Sequence, residues 1–189
     1  MELFSITFLK QLLLTMTASM GYLTIGLVRG WSSPGIPSME ETHKHLISTQ
    51  SEISWVCAIP PMGAFIGSLV AGPLLQTIGR KKTLLISAPV FVLGWSLIGS
   101  ATSFEMLVFA RVLTGFCAGI VTPSAQIYVS ESSHPEIRGF LGSLPALFMA
   151  IGVLISYVLG TFLPWNYLAF ASALFPAGLF FFLLPLPES

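Results

Sequence analysis

Aspartate is missing from this chain altogether, so glutamate alone carries the acidic charge. Charge of either sign is scarce. Eight Lys and Arg balance eight acidic residues, and charged residues make up 8% of the sequence, against about 25% in an average soluble domain. A net charge of zero gives no electrostatic grip on nucleic acid, so no nucleic-acid partner is expected. The absence of aspartate removes any Asp pair, and all three histidines fall in expected loops. No buried His stands beside a nucleophile and no metal-ligand cluster falls within a helix, which argues against an intramembrane enzyme and implies no metal or cofactor. His43 and His45 are spaced for a metal but lack a third ligand nearby. Only two cysteines occur, Cys57 and Cys117, too few for a disulfide framework; both read as small packing residues. Asn166 is the sole asparagine and is followed by Tyr-Leu, so no N-glycosylation sequon exists.

Apolar length is what the chain has. Hydrophobic residues are 54% of the sequence and mean hydropathy is +0.85. From Gly139 to Pro187 there is no formal charge at all. A membrane-crossing helix needs about 20 apolar residues, so that stretch holds two crossings, turning at Pro164-Trp165-Asn166. Charge-poor segments mark six crossings in all, at about 6–28, 53–78, 83–102, 105–128, 140–162 and 167–184. These runs are too long for barrel strands, and helices alone satisfy their own backbone in lipid. The first run continues past any cleavage point to Val28 and reads as an uncleaved span rather than a signal peptide. The expected fold class is an all-α membrane protein, a six-helix transmembrane bundle over residues 1–189, with membrane lipid around it.

Arg80-Lys81-Lys82 is the densest basic cluster and lies in a very short loop. The positive-inside rule makes that loop cytoplasmic. Alternation then puts both termini inside, the 29–52 loop outside, and the connection with Glu131, Glu136 and Arg138 inside. Trp31, Trp55 and Trp165 fall where an interfacial aromatic belt is expected. Interior prolines, among them Pro60, Pro61, Pro89, Pro123, Pro145 and Pro176, remove backbone hydrogen bonds and bend helices. Gly26/Gly30, Gly63/Gly67 and Gly115/Gly119 recur at the four-residue spacing that lets helix backbones approach. They serve either packing within this chain or a dimer seam.

Three charged motifs stand out. Gly72-Pro73-Leu74-Leu75-Gln76-Thr77-Ile78-Gly79-Arg80-Lys81-Lys82 joins glycines at a helix end to the basic cluster. Arg111-Val112-Leu113-Thr114-Gly115-Phe116-Cys117-Ala118-Gly119 puts an arginine about 9 Å inside its helix. There it costs about 2.5–3.5 kcal/mol unless it snorkels or pairs. Glu131 and Arg138 bracket a short turn that ends at Gly139. The sequence closes on Pro185-Leu186-Pro187-Glu188-Ser189.

In this order and spacing, the motifs resemble the sugar porter family of the major facilitator superfamily over essentially the whole chain. The Pro135–Pro145 and Trp165–Phe170 stretches are similar to the insect facilitated trehalose transporter-like branch. The resemblance implies the N-terminal half of a major facilitator superfamily fold, in a plasma-membrane carrier that works by alternating access. It also implies a sugar as substrate, with the missing C-terminal half or a full-length porter as partner. By the same resemblance, Arg80, Lys81, Glu131, Arg138 and Glu188 form a cytoplasmic charge network and Arg111 braces the outer end of the fourth helix. Gly63, Gly67, Gly72, Gly79, Gly115, Gly119 and Gly139 are the expected helix-packing glycines. Candidate cavity residues are Gln126, Thr24, Ser143 and Ser156.

The sequence departs from the family pattern at four places. Gln76 replaces an acidic residue, Thr77 replaces the base after it, Ala146 replaces a sugar-contacting Gln, and the stretch 21–26 lacks the Asp of proton-coupled members. Facilitated diffusion is therefore the expected mode. A truncated, non-transporting protein that pairs with or regulates a full-length porter is the alternative.

Overall fold

The structure, a computed structural model, describes residues 2–42, 46–47 and 49–185, with the backbone alone for 2–8. Among them are six helices, each long and apolar enough to span a bilayer: α1 (Glu2–Thr42), α2 (Gln50–Thr77), α3 (Arg80–Gly99), α4 (Phe104–Ser132), α5 (Arg138–Gly160) and α6 (Trp165–Leu183). His43, His45 and Glu188 lie outside the described residues.

Local chemistry sets several boundaries. Thr49 and Glu52 form a reciprocal capping box at the start of α2, which satisfies two otherwise orphaned donors. Ser103 accepts from Met106 N at 3.3 Å at the start of α4. Between α2 and α3 only Ile78 and Gly79 turn the chain. Gly79 has φ 93° and ψ 167°, backbone that is open to glycine and strained for other residues. Arg80-Lys81-Lys82 is thus the first turn of α3, not a loop. Three cations there oppose the positive end of the helix dipole.

The largest departure from expectation is α1. It continues to Thr42 through Arg29, Pro34 and Pro37, where an outer loop was expected from Arg29. It is held by packing: Trp31, Ile36 and Met39 are buried, and Pro34 lies against Gly160 of α5. Proline distorts a helix, yet here the tertiary contacts carry the helix past it. Glu131 likewise belongs to the last turn of α4 rather than to the following connection.

The helices pair in a repeating pattern. The closest neighbours are α1 with α5 and α2 with α4; α3 packs on α4 and α6, and α1 on α6. Exchanging α1–α3 for α4–α6 maps the α1–α5 pair onto the α4–α2 pair, as two internal repeats would require. Both seams are built on glycine. A Cβ on Gly63 would stand 2.6 Å from Val112 O, and Cβ atoms on Gly67, Gly115 and Gly119 would overlap Phe116 O, Pro60 O and Ala64 O. Across the other seam Gly26 meets Met149 O, and Gly152 meets Leu23 O. Lipid tails are as apolar as the side chains, so such backbone approach supplies the packing that hydrophobic exclusion cannot. Gly72 and Gly139 do not act this way: a Cβ would meet nothing within 4 Å at either. Gly79 serves its turn, not a helix seam.

Candidate functional site

The six helices leave a groove along α1, α2 and α4. Two cavities of about 450 and 580 Å³ share Pro61, Ala64 and Thr122 and together run along it. On α1 the lining falls at Tyr22, Ile25, Arg29 and Ser32; on α2 at Cys57, Pro61, Ala64 and Ser68; on α4 at Gly115, Ala118, Thr122 and Gln126. The steps of three and four residues are those of one helix face. Small residues and prolines hold the wall back, which is why space remains between closely packed helices.

Polar groups converge near one end of this groove. Tyr22 Oη donates to Thr122 O at 2.9 Å and lies 3.5 Å from Gln126 Oε1. Gln126 is thus the one expected cavity residue that lines the groove. Thr24 is buried and donates to Met20 O at 3.1 Å within its own helix. Ser143 is exposed on α5 and turns back to Phe140 O at 2.7 Å. Ser156 is buried against Gly30 in the α1–α5 seam. Backbone bonding and close packing withdraw these three from the groove, as is common for hydroxyls inside helices.

The sequence reading missed Tyr22, Arg29 and Cys57 as groove residues. Cys57 was expected to be packed, yet its side chain is exposed, while Cys117 is buried. Arg29 was placed in a loop because a charge ordinarily ends an apolar run. The stripe Tyr22, Ile25, Arg29, Ser32 was readable on a helical wheel once α1 was carried past residue 28.

Arg111 is completely buried. Its Nη2 donates to Ser32 Oγ at 2.8 Å and its Nη1 to Val28 O at 3.3 Å. The guanidinium also lies over the Trp31 ring, 4.1 Å from the centroid. Trp31 Nε1 in turn donates to Trp165 O at 3.3 Å, and Trp165 N to Ser38 Oγ at 3.3 Å. This knot ties α4 to α1 and α6. Trp31 and Trp165 are therefore buried structural residues and not members of an exposed interfacial belt, whereas Trp55 is exposed. A cation over an indole face, shielded from solvent, is worth about 2 kcal/mol.

At the opposite, basic end Arg80 Nη2 meets Glu131 Oε1 at 2.8 Å, bridging α3 and α4. Lys81 Nζ donates to Leu184 O, the C-cap of α6, at 2.9 Å; a cation is favoured at that helix end. Arg138 Nη2 approaches Ser133 O at 3.4 Å, and His134 N donates to Gln11 Oε1 at 2.9 Å. The structure thus brings α1, α3, α4 and α6 together through polar contacts at one end of the bundle.

The described residues thus form a six-helix bundle with a lateral groove, charge contacts at one end and a buried arginine knot at the other. Solved structures share the fold. The inward-open xylose transporter XylE from E. coli matches with a TM-score of 0.84 at 19% identity, over 93% of this chain and 48% of that one. A D-xylose-proton symporter matches with a TM-score of 0.82 at 20% identity, over 94% of this chain and 48% of that one. The bundle is thus the N-terminal half of the major facilitator superfamily fold.

Residues 14–189 match the family model for sugar (and other) transporters, and the chain belongs to that family. The facilitated trehalose transporter Tret1 of Bombyx mori is 38% identical over 179 residues, 95% of this chain and 35% of that protein. The Polypedilum vanderplanki Tret1 is 37% identical over 180 residues, 95% and 36% respectively. The chain spans about a third of the length of these relatives, which are transporters rather than enzymes.

Proposed function

We propose that the protein moves a hexose or a disaccharide such as trehalose across the membrane by facilitated diffusion. The observation that carries this reading is the polar cluster of Tyr22, Thr122 and Gln126 in a groove open along one face. A second six-helix bundle, from the same polypeptide or a full-length porter, would supply the other wall. Rocking of the two bundles would expose the groove to each side in turn. The basic end would face the cytoplasm of the cell, with both termini inside, in the plasma membrane. No carboxylate lies in the stretch 21–26, so uniport is favoured over proton coupling.

Counterflow of labelled trehalose and glucose into liposomes carrying the full native protein tests this. Gln126→Ala should raise the half-saturating sugar concentration about fivefold, the value of one neutral hydrogen bond, with little change in maximal rate. No counterflow of trehalose, glucose or glucuronate from correctly inserted protein would reject the reading. The alternative reading is that this chain pairs with or regulates a full-length porter. Sizing the native protein and capturing a porter partner separates the two.

A further inference from the structure

Arg29 is a formal charge within helix α1, between the two α1 residues that bond Arg111, and it is exposed on the groove wall. No hydrogen-bond or ion-pair partner meets it among the described residues, and no acidic residue lines either cavity. An intramembrane arginine is costly to insert, and Arg111, also in the span, bonds Val28 and Ser32 and stacks on Trp31. Arg29 therefore presents its positive charge to a space of about 450 Å³, within the size range of small-molecule sites.

We infer that Arg29 is a specificity-determining residue that selects a sugar acid, a monosaccharide-sized solute bearing one carboxylate, over neutral sugars. The inference rests on the transport reading above and shifts its preferred substrate from a neutral sugar to an acidic one. A guanidinium presents two parallel N–H groups to a carboxylate, a match that gives both strength and orientation. One cation in the cavity suits one negative charge, so a doubly charged phosphate ester would enter with half its charge uncompensated. Ser32 lines the same cavity and Tyr22 the adjoining one. They remain for the sugar hydroxyls while Arg29 takes the acid.

Cys57, on the facing wall of the same cavity, makes the test independent of flux. In the full native protein, the rate at which Cys57 reacts with an anionic thiosulfonate is compared with that for a cationic one, with Cys117 replaced by Ala. Arg29 should favour the anionic reagent, and Arg29→Gln should lower the ratio about fivefold. Arg29→Lys should keep it, which separates charge from damage to the fold. Glucuronate should protect Cys57 at concentrations where glucose does not, and Arg29→Gln should abolish that protection.

Equal protection by glucose and glucuronate would overturn the inference, as would a ratio unmoved by Arg29→Gln or a Cys57 that neither reagent reaches. Protection by glucuronate without counterflow of any sugar would reject the transport reading while leaving the binding assignment standing. Counterflow of glucose that glucuronate does not inhibit would do the reverse.

Discussion

Two arginines near one stretch of α1 illustrate how a residue's surroundings decide its role. Arg111 is buried and met by a carbonyl, a hydroxyl and an indole face; Arg29 faces an open groove. Lysine cannot reproduce the planar fork that spans Val28 O and Ser32 Oγ while stacking on Trp31. Arg111→Lys is therefore expected to destabilise the protein by about 2–3 kcal/mol, from the cation–π contact and one charged hydrogen bond. Trp31→Phe keeps an aromatic face but loses the bond to Trp165 O and should cost about 1–2 kcal/mol. Because the two share one contact, the double variant should cost less than the sum by at least about 0.5 kcal/mol. Thermal unfolding in detergent checks this, and strict additivity would show that the arginine and the indole do not act together. The arginine was legible in the sequence as a charge too deep to leave unpaired. Its partners were not, because a tryptophan near a membrane boundary reads as part of the belt until a second helix is placed against it.

At the scale of the element, glycine means three different things in this bundle. Gly67 and Gly119 sit where α2 and α4 touch backbone to backbone. Gly79 makes a turn with positive φ. Gly72 lies in α2 with open space where a Cβ would be. Alanine at Gly67 or Gly119 must push the helices apart and is expected to cost about 1–3 kcal/mol. Alanine at Gly72 lowers the backbone entropy of the unfolded chain at no steric cost and should stabilise by up to about 1 kcal/mol. Opposite signs for two Gly→Ala changes in one helix are easily read from melting temperatures; a loss at Gly72 would mean that a neighbour covers it.

The four-residue spacing of Gly63/Gly67 and Gly115/Gly119 made the seam legible, but not which helices it joins. Helix positions were legible from hydropathy for the same reason that lipid demands helices. The far end of α1 was not. Arg29 breaks the apolar run in sequence, whereas in the fold it faces a groove and the helix continues, carried by the buried Trp31, Ile36 and Met39.

At the scale of the whole molecule, the Arg80–Glu131 pair is a weak contributor to stability in a place where weak contributions can matter. Both side chains are more than one-third exposed, at 37% and 38%, and an exposed pair is worth about 0–1 kcal/mol. Glu131→Gln should hence leave unfolding almost unchanged. A carrier that alternates between two arrangements differs in free energy between them by only a few kcal/mol. If the pair is intact only while the basic end is closed, losing it should shift the balance about two- to fivefold toward states open at that end. The groove would then close at the opposite end, where Cys57 lies on the same cavity as Ser32.

With the basic end cytoplasmic, as proposed above, the expected outcome is slower labelling of Cys57 by a membrane-impermeant thiol reagent applied from outside intact cells. Melting temperature should stay within error of the parent. The charge-exchanged protein, Arg80→Glu with Glu131→Arg, should regain the parent labelling rate, since the pair is re-formed with its sign reversed. Recovery in the exchange and not in either single change distinguishes a latch from a local defect. If Glu131→Gln slows labelling but the exchanged protein does not recover, the carboxylate acts through another neighbour and the α3–α4 bridge is not what holds the basic end shut.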